Sequence, residues 1–130
     1  MLKKRIIFTL HYDKGFFNLS RNFRLQKIGD LNWLLKNYNF LKIAESIDEL
    51  IIIDVSRDNR EHDKFLENVS EITKNIFVPV CLGGGIRTLE YAKKLFESGA
   101  DKINLNTSLF HDPSLVDEIS KTYGAQAIIG

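Results

Sequence analysis

Short runs of apolar residues alternate with segments of helical periodicity along most of the chain. The apolar runs are rich in β-branched residues and predict five strands, at Arg5–Leu10, Glu49–Val55, Phe77–Leu82, Lys102–Asn106 and Ala125–Gly130. Between them, apolar residues recur every three or four positions and predict four helices, at Leu31–Ala44, Asp63–Asn75, Thr88–Ser98 and Asp112–Tyr123. Strands that alternate with helices in this way are typical of a parallel sheet made of right-handed βαβ units.

The number of units predicts an α/β fold that is the amino-terminal half of a (βα)8 TIM barrel, with four βα units and the start of strand five. We therefore expect residues 1–130 to belong to a single barrel domain. An open half-barrel would leave two unpaired strand edges and an exposed core, so the chain is interpreted as a fragment or a truncated gene product. The alternative is a compact, doubly wound domain of five strands. Its dinucleotide-binding version has little support, because no Gly-x-Gly-x-x-Gly sequence follows the first strand.

Three consecutive glycines, Gly83–Gly85, end one predicted strand, and Asn106 and Thr107 end the next. In a parallel barrel, phosphorylated substrates bind at the carboxyl ends of the strands. Glycines let the backbone approach an anion closely, and a helix that begins just afterwards points its N–H groups at that anion. The sequence therefore predicts a phosphate site formed by Gly84, Gly85, Asn106 and Thr107.

The charge distribution suits a small anionic ligand better than a nucleic acid or a membrane. The chain has a net charge of +1, and its first 27 residues hold seven Lys or Arg against one acid. No stretch approaches the roughly 20 apolar residues of a membrane-spanning helix. No apolar run of the length that a signal peptide needs follows the basic first residues, so we expect a cytoplasmic protein.

The cysteine and histidine pattern does not predict a metal site or a disulfide. The single cysteine, Cys81, lies inside an apolar strand, where an inert buried thiol is expected. His62-Asp63 and His111-Asp112 stand at predicted helix starts, where the aspartates are expected to cap the helices. Neither pair has the converging ligands that a metal needs.

Three segments together resemble the amino-terminal half of the cyclase subunit of imidazole glycerol phosphate synthase. They are Lys4–Ile7, Ile47–Asp54, and the Gly83–Gly85 motif with Asn106-Thr107 and Pro113–Leu115. The resemblance covers essentially the whole chain and implies a barrel of the ribulose-phosphate-binding type without a cofactor. It also implies a heterodimer, in which a glutaminase subunit docks on the amino-terminal face of the barrel. Ammonia from that subunit would pass along the barrel axis to a doubly phosphorylated substrate at the other end.

The resemblance assigns roles to residues at both ends of the predicted strands. Gly85 matches the phosphate site of the family, as do Asn106 and Thr107. The family's ammonia entrance is ringed by four charged residues, and three positions here match them: Arg5, Glu49 and Lys102. All three lie where predicted strands start, on the face opposite the phosphate site. A structural salt-bridge layer is the alternative interpretation, since charges buried in a barrel need partners.

Two positions depart from the family pattern. The family has a catalytic aspartate where this chain has His11, and a phosphate-contacting lysine where it has Leu19. His11 remains a candidate general acid or base near neutral pH, with Asp13 as a carboxylate that a rearranged loop could bring into its place. Asp54 falls on a family carboxylate near the substrate and is the second candidate catalytic residue, with a helix N-cap as the alternative role. The family's other catalytic aspartate would lie beyond Gly130.

The segment Ser20–Asp30, expected to be the first βα loop, resembles a divergent branch of the family found in surface-polysaccharide gene clusters. In that branch the barrel works with its own glutaminase and with an ATP-dependent amidotransferase that places acetamidino groups on sugars. Arg21 and Arg24 would then bind a nucleotide-sugar diphosphate or a carboxylate of a partner protein. A solvated loop is the alternative.

Three functional hypotheses follow. The first is an ammonia-accepting barrel subunit of a glutamine-dependent complex that serves acetamidino-sugar synthesis. The second is the cyclase and lyase of histidine biosynthesis. The third is a non-catalytic ammonia conduit that activates a partner glutaminase. In each case a partner chain must hydrolyse glutamine, because the buried Cys81 cannot serve a Cys-His-Glu glutaminase site. His11 and Leu19 favour the first or the third hypothesis.

Overall fold

The computed structural model describes residues 5–21, 24–31, 46–57, 60–105 and 111–130, and of residues 19–21 and 24–28 it describes the backbone. Seven strands in this part of the chain form one sheet: β1 (Ile7–Asp13), β2 (Phe16–Arg21), β3 (Arg24–Asp30), β4 (Glu49–Asp54), β5 (Val80–Gly83), β6 (Lys102–Asn104) and β7 (Ile128–Ile129). The described helices are α1 (His62–Thr73), α2 (Leu89–Glu97), α3 (Pro113–Tyr123) and a short 3-10 helix, Ala125–Ala127. The strands lie side by side in the order β3-β2-β1-β4-β5-β6-β7.

From β1 onward the sheet is parallel and follows the order of the sequence. β4 pairs with β1, β5 with β4, β6 with β5 and β7 with β6, all in parallel. A doubly wound sheet reverses its strand order at a switch point, and this sheet has no such reversal over its described strands. The predicted α/β fold is confirmed, and the arrangement agrees with the amino-terminal portion of a (βα)8 barrel.

The segment expected to be a loop at Ser20–Asp30 contains antiparallel strands instead. β2 pairs with β1, and β3 pairs with β2, so two antiparallel strands extend the sheet beyond β1. The β1–β2 hairpin forms because Lys14 and Gly15 take consecutive positive φ angles of 46° and 92°, as a tight two-residue turn requires. Phe17, on the returning strand, is fully buried. β1 accordingly runs past its predicted end at Leu10.

Two other strands begin later than the sequence predicts. β5 begins at Val80 rather than Phe77, because Pro79 has no N–H to donate to a ladder and Phe77 is 89% exposed. Half of the last predicted strand is helical: Ala125–Ala127 form a 3-10 turn, which leaves two residues for β7.

Of the two predicted aspartate caps, that of Asp112 is confirmed and that of Asp63 is wrong, and Thr88 caps α2 as well. Thr88 Oγ1 and Asp112 Oδ1 each accept a hydrogen bond from the backbone N–H three residues later, at 3.1 and 3.2 Å. Asp63 does not cap α1. It lies inside the first turn, where its charge complements the helix dipole, and Glu61 occupies the N-cap position without a side-chain hydrogen bond.

Several predicted features lie outside the described residues. These are the helix at Leu31–Ala44 after its first residue, and the phosphate-site residues Asn106 and Thr107. In the portion that is described, no helix has the length and apolar character to cross a membrane.

The core lies between the sheet and its helices. Alternate residues of the parallel strands face the helices and are fully buried, among them Leu10, Tyr12, Leu50, Ile52, Leu82 and Ile103. The helices contribute Phe65, Val69, Ile72, Leu95 and Ile119. The ring of Tyr12 packs on Phe65 with centroids 4.9 Å apart. This alternation leaves the intervening residues of each strand for the opposite face of the sheet, which is the interior face of the barrel.

Candidate functional site

The interior face of the sheet is organised in rows that cross the parallel strands. Paired residues of neighbouring parallel strands project to the same side. The register aligns one row near the carboxyl ends, which contains His11, Ile53, Gly83 and Asn104. A second row, nearer the amino ends, contains Thr9, Ile51, Cys81 and Lys102. His11 and Lys102 therefore share one face, at opposite ends of the strands.

A charged group lies at the amino end of this face. Arg5 Nη2 is 3.7 Å from Glu49 Oε2, and the Glu49 side chain is only 7% exposed. Lys102 begins β6 beside Cys81, so the register brings its charge to the same end of the face. The structure thus brings Arg5 and Glu49 into contact and places Lys102 at the start of β6, two strands away from Glu49. Glu49 Oε1 is buried without a hydrogen-bond partner among the described residues, so this carboxylate depends on neighbouring cations.

The charges of Glu49 and Lys102 both affect the pKa of the Cys81 thiol. Burial raises its pKa to about 11, the Glu49 carboxylate adds to the rise, and the Lys102 ammonium opposes it. Both charges therefore lie close enough to act on the sulfur. The thiol is fully buried, which confirms the expected core position.

We expect Cys81 to react slowly with iodoacetamide at pH 8. Its ordinary pKa is 9.0, so a rise to about 11 lowers the thiolate fraction roughly a hundredfold relative to the unfolded chain. The raised pKa also links the thiol to the free energy of unfolding. The contribution of Cys81 to that free energy is fully present below pH 9 and is lost as the pH rises through 11. The test compares alkylation rates of the native protein and the urea-unfolded chain. Equal rates would show that the thiol is neither buried nor electrostatically suppressed.

The glycine turn after β5 forms a cradle that has no room for side chains. Gly84 and Gly85 have φ angles of 98° and 68°, which strongly favour glycine. A Cβ on Gly84 would overlap the backbone of Asp54, and a Cβ on Gly85 would lie 2.5 Å from Nη1 of Arg60. The cradle opens into a cavity of about 250 Å³, lined by Ile53, Asp54, Val55, Arg60, Gly84, Gly85, Ile86, Arg87, Asn104 and Leu105.

Arg60 is a site residue that sequence reasoning missed. It lies in the connection between β4 and α1, is half-buried, and donates from Nε to the backbone oxygen of Ser56 at 2.7 Å. Nothing in the sequence distinguishes it from a solvated arginine such as Arg57, three residues earlier. A weak indication was available, because this connection leaves the carboxyl end of a barrel strand, where ligands bind.

Asp54 lies on the other face of the sheet from His11. It pairs with Tyr12, which faces the helices, and it is fully buried. Its Oδ1 accepts a hydrogen bond from the backbone N–H of Ser56 at 3.0 Å, an Asx turn, whereas α1 begins only at His62. The N-cap alternative for Asp54 is therefore wrong. The carboxylate lines the cavity from behind the glycine turn and does not face the same side as His11.

A buried polar cluster surrounds Asp54. Burial raises the pKa of Tyr91, and the Asp54 charge raises it further, while Arg60 opposes the rise. Burial and the same carboxylate also raise the pKa of Tyr12. The Tyr91 hydroxyl and Asp54 Oδ2 are both buried without a hydrogen-bond partner in the described part of the chain. The Tyr91 ring stacks on His62 with centroids 3.9 Å apart.

His11 presents an available nitrogen to the interior face. The residue is half-buried, and its Nδ1 is buried without a hydrogen-bond partner among the residues that the structure describes. Leu19 lies in β2, and Arg21, the last residue of β2, pairs with Arg24, the first residue of β3. The described residues contain no group of three or more His, Cys, Asp or Glu that could hold a metal ion.

Comparisons with known proteins identify relatives along the whole chain. A profile described as histidine biosynthesis protein matches residues 26–130. A protein of Parasynechococcus marenigrum, provisionally named imidazole glycerol phosphate synthase subunit hisF2, is 56% identical over 129 residues, which are 99% of this chain and 48% of that protein. The imidazole glycerol phosphate synthase subunit HisF of Exiguobacterium sibiricum is 37% identical, over 99% of this chain and 51% of its own length. The HisF subunit of Staphylococcus carnosus is 39% identical, over 98% of this chain and 49% of its own length. The chain therefore spans about half the length of the curated relatives it matches.

Proposed function

Because the chain belongs to the histidine biosynthesis protein family, we propose that it forms the amino-terminal part of an ammonia-accepting cyclase barrel of the imidazole glycerol phosphate synthase type. The observation that carries the proposal is the polarity of the interior face. Charged residues cluster at its amino end, and an anion cradle lies beyond its carboxyl end. A glutaminase subunit would supply ammonia to the first end, and a phosphorylated substrate would occupy the second.

At the phosphate end, the backbone would supply the groups that bind the anion. Gly84 and Gly85 hold the chain in a conformation that leaves the backbone open to the cavity, and α2 follows after the Thr88 cap. An anion in this cavity would meet backbone N–H donors and the positive end of the helix dipole. Asn106 and Thr107, which follow β6, are proposed to complete the site as they do in the family.

The ammonia end combines charge with an uncharged interior. Arg5, Glu49 and Lys102 would surround the entrance, with the Arg5–Glu49 pair fixed at 3.7 Å. The row that contains Lys102 also contributes the neutral side chains of Thr9 and Ile51. Neutral ammonia crosses such a layer at little cost, whereas an ammonium ion would lose its hydration there.

His11 is the proposed proton-transfer residue of this half of the site. Cyclisation requires protons to be removed from the attacking nitrogen and delivered to the departing group. A neutral imidazole can accept a proton at one nitrogen and donate from the other. Its place in the row that contains Gly83 and Asn104 puts it at the carboxyl end of the interior face, toward the substrate.

A second candidate function is ammonia delivery for acetamidino-sugar synthesis. It is supported by His11 and Leu19, which replace an aspartate and a lysine of the family. In this case a nucleotide-sugar would replace the aminoimidazole substrate, and an ATP-dependent amidotransferase would complete the complex. Arg21 and Arg24, which pair at the ends of β2 and β3, would contact the diphosphate or the partner protein.

The entrance assignment is tested by Lys102→Ala in the full-length protein with its glutaminase. Removing this cation unbalances the charged entrance, so product formed per glutamine hydrolysed should fall roughly tenfold. Turnover with ammonium supplied directly should persist, because ammonium does not depend on the docked glutaminase. The matched control is Lys93→Ala, at an exposed position of α2. Unchanged coupling in Lys102→Ala would overturn the entrance assignment.

A further inference from the structure

We propose that Arg60 is the cationic ligand of the phosphate group held in the Gly84-Gly85 cradle. Arg60 would contact the phosphate as a lysine does in the family, where that lysine occupies the position of Leu19. The inference deepens the proposed function and rests on its phosphate site. It names a binding residue that neither the resemblance nor the glycine motif indicates, and it identifies the ligand chemistry as a phosphate monoester.

The Arg60 guanidinium lies directly against the cradle. A Cβ built on Gly85 would be 2.5 Å from Nη1, 2.8 Å from Cδ and 3.1 Å from Cζ of Arg60. The side chain therefore packs over this glycine, and Gly84, Gly85 and Arg60 all line the same cavity of about 250 Å³. An anion that entered this cavity would meet the backbone of the turn and the guanidinium together.

The guanidinium is anchored by one edge. Arg60 Nε donates to the oxygen of Ser56 at 2.7 Å, and Ser56 is itself fixed, because its N–H donates to Asp54 Oδ1 at 3.0 Å. The Ser56 hydroxyl accepts a hydrogen bond from the backbone N–H of Lys14 at 3.2 Å, which ties this support to the β1–β2 turn. An anchored Nε directs the two terminal nitrogens away from Ser56 and restricts the arginine before any ligand binds.

Arg60 has no carboxylate within ion-pair distance in the described structure. The four ion pairs found among the described residues do not include it. Asp54 lines the same cavity, but its Oδ1 is engaged by Ser56 and it forms no ion pair with Arg60. A half-buried guanidinium without a carboxylate partner suits a phosphate, which it can bind through two parallel N–H bonds. Arg87 also lines the cavity but is exposed, so its contribution would be screened by solvent.

The test is a calorimetric titration of the chain with inorganic phosphate and with glycerol 3-phosphate, which separates a free anion from a phosphate monoester. Arg60→Gln should weaken binding of the monoester about ten- to a hundredfold, since a charge-assisted pair of hydrogen bonds is lost. Arg60→Lys should be intermediate, because it keeps the charge and loses the fork. Lys93→Gln removes a positive charge from an exposed position of α2 and should leave the affinity unchanged.

The outcomes separate this inference from the function on which it rests. If the parent chain binds the monoester and Arg60→Gln binds it equally well, the phosphate site stands and the role of Arg60 is wrong. If the parent chain binds neither probe, the phosphate site itself fails and the inference fails with it. If circular dichroism shows that Arg60→Gln is unfolded, Arg60→Lys decides: an affinity equal to that of the parent chain overturns the proposal.

Discussion

Replacing Gly84 with alanine is expected to abolish anion binding and to lower the free energy of unfolding by about 3–5 kcal/mol. Gly84 has a φ of 98°, where an L side chain is strained. Its added Cβ would also overlap the backbone of Asp54, which cannot move as a flexible side chain could. Relief of that overlap would separate the glycine turn from β4 and so dismantle the cradle. Urea denaturation and a phosphate-monoester titration measure the two effects.

Gly124→Ala is the matched control for this substitution. Gly124 has a similar φ of 90°, but the atoms that its Cβ would meet belong to the end of the Gln126 side chain, which can rotate away. Gly124→Ala should cost about 1–3 kcal/mol of backbone strain and leave anion binding intact. A Gly84→Ala variant that behaves like Gly124→Ala would mean that the close approach of the turn to β4 is not required for the site.

Replacing His11 with alanine is expected to lower turnover about a thousandfold in the full-length protein when ammonium is supplied directly. The imidazole lies at the carboxyl end of the interior face, and its Nδ1 has no hydrogen-bond partner among the described residues, so it is available for proton transfer. Loss of a positioned general acid or base affects the chemical step and not the delivery of ammonia. Steady-state kinetics with saturating ammonium isolates that step.

His111→Ala serves as the control for the His11 variant. His111 is exposed just before α3, and its replacement should leave turnover unchanged. If His11→Ala also retained full turnover, His11 would not transfer protons. The chain would then fit the third hypothesis, a conduit that delivers ammonia to a separate synthetase.

The features that the sequence predicts well are those with local causes. The β-branched run at Glu49–Asp54 predicts β4 almost to the residue, because few other structures accommodate so continuous an apolar segment. The glycine turn is predicted for a similar reason, since Gly84 and Gly85 adopt φ angles that favour glycine. The grouping of Arg5 with Glu49 follows from parallel topology alone, because strand starts meet at one edge of the sheet.

The features that the sequence does not predict depend on tertiary contacts. The sequence does not predict the β1–β2 hairpin, because its turn is Lys14-Gly15 rather than the more typical Asn-Gly and the polar residues that follow favour a loop. The face of Asp54 could not be assigned, because β4 is apolar on both sides and gives no alternation to count. Arg60 became a candidate only when the structure showed its guanidinium against Gly85.

The most direct test of the central proposal is an absorbance assay of the full-length protein with ammonium and the doubly phosphorylated aminoimidazole precursor of histidine biosynthesis. Consumption of the precursor with formation of imidazole glycerol phosphate is the expected result, and it would show that His11 supports cyclase chemistry. A folded protein that binds a phosphate monoester but does not consume the precursor would contradict the cyclase proposal. Amidation of a nucleotide-sugar would then be the reaction to test next.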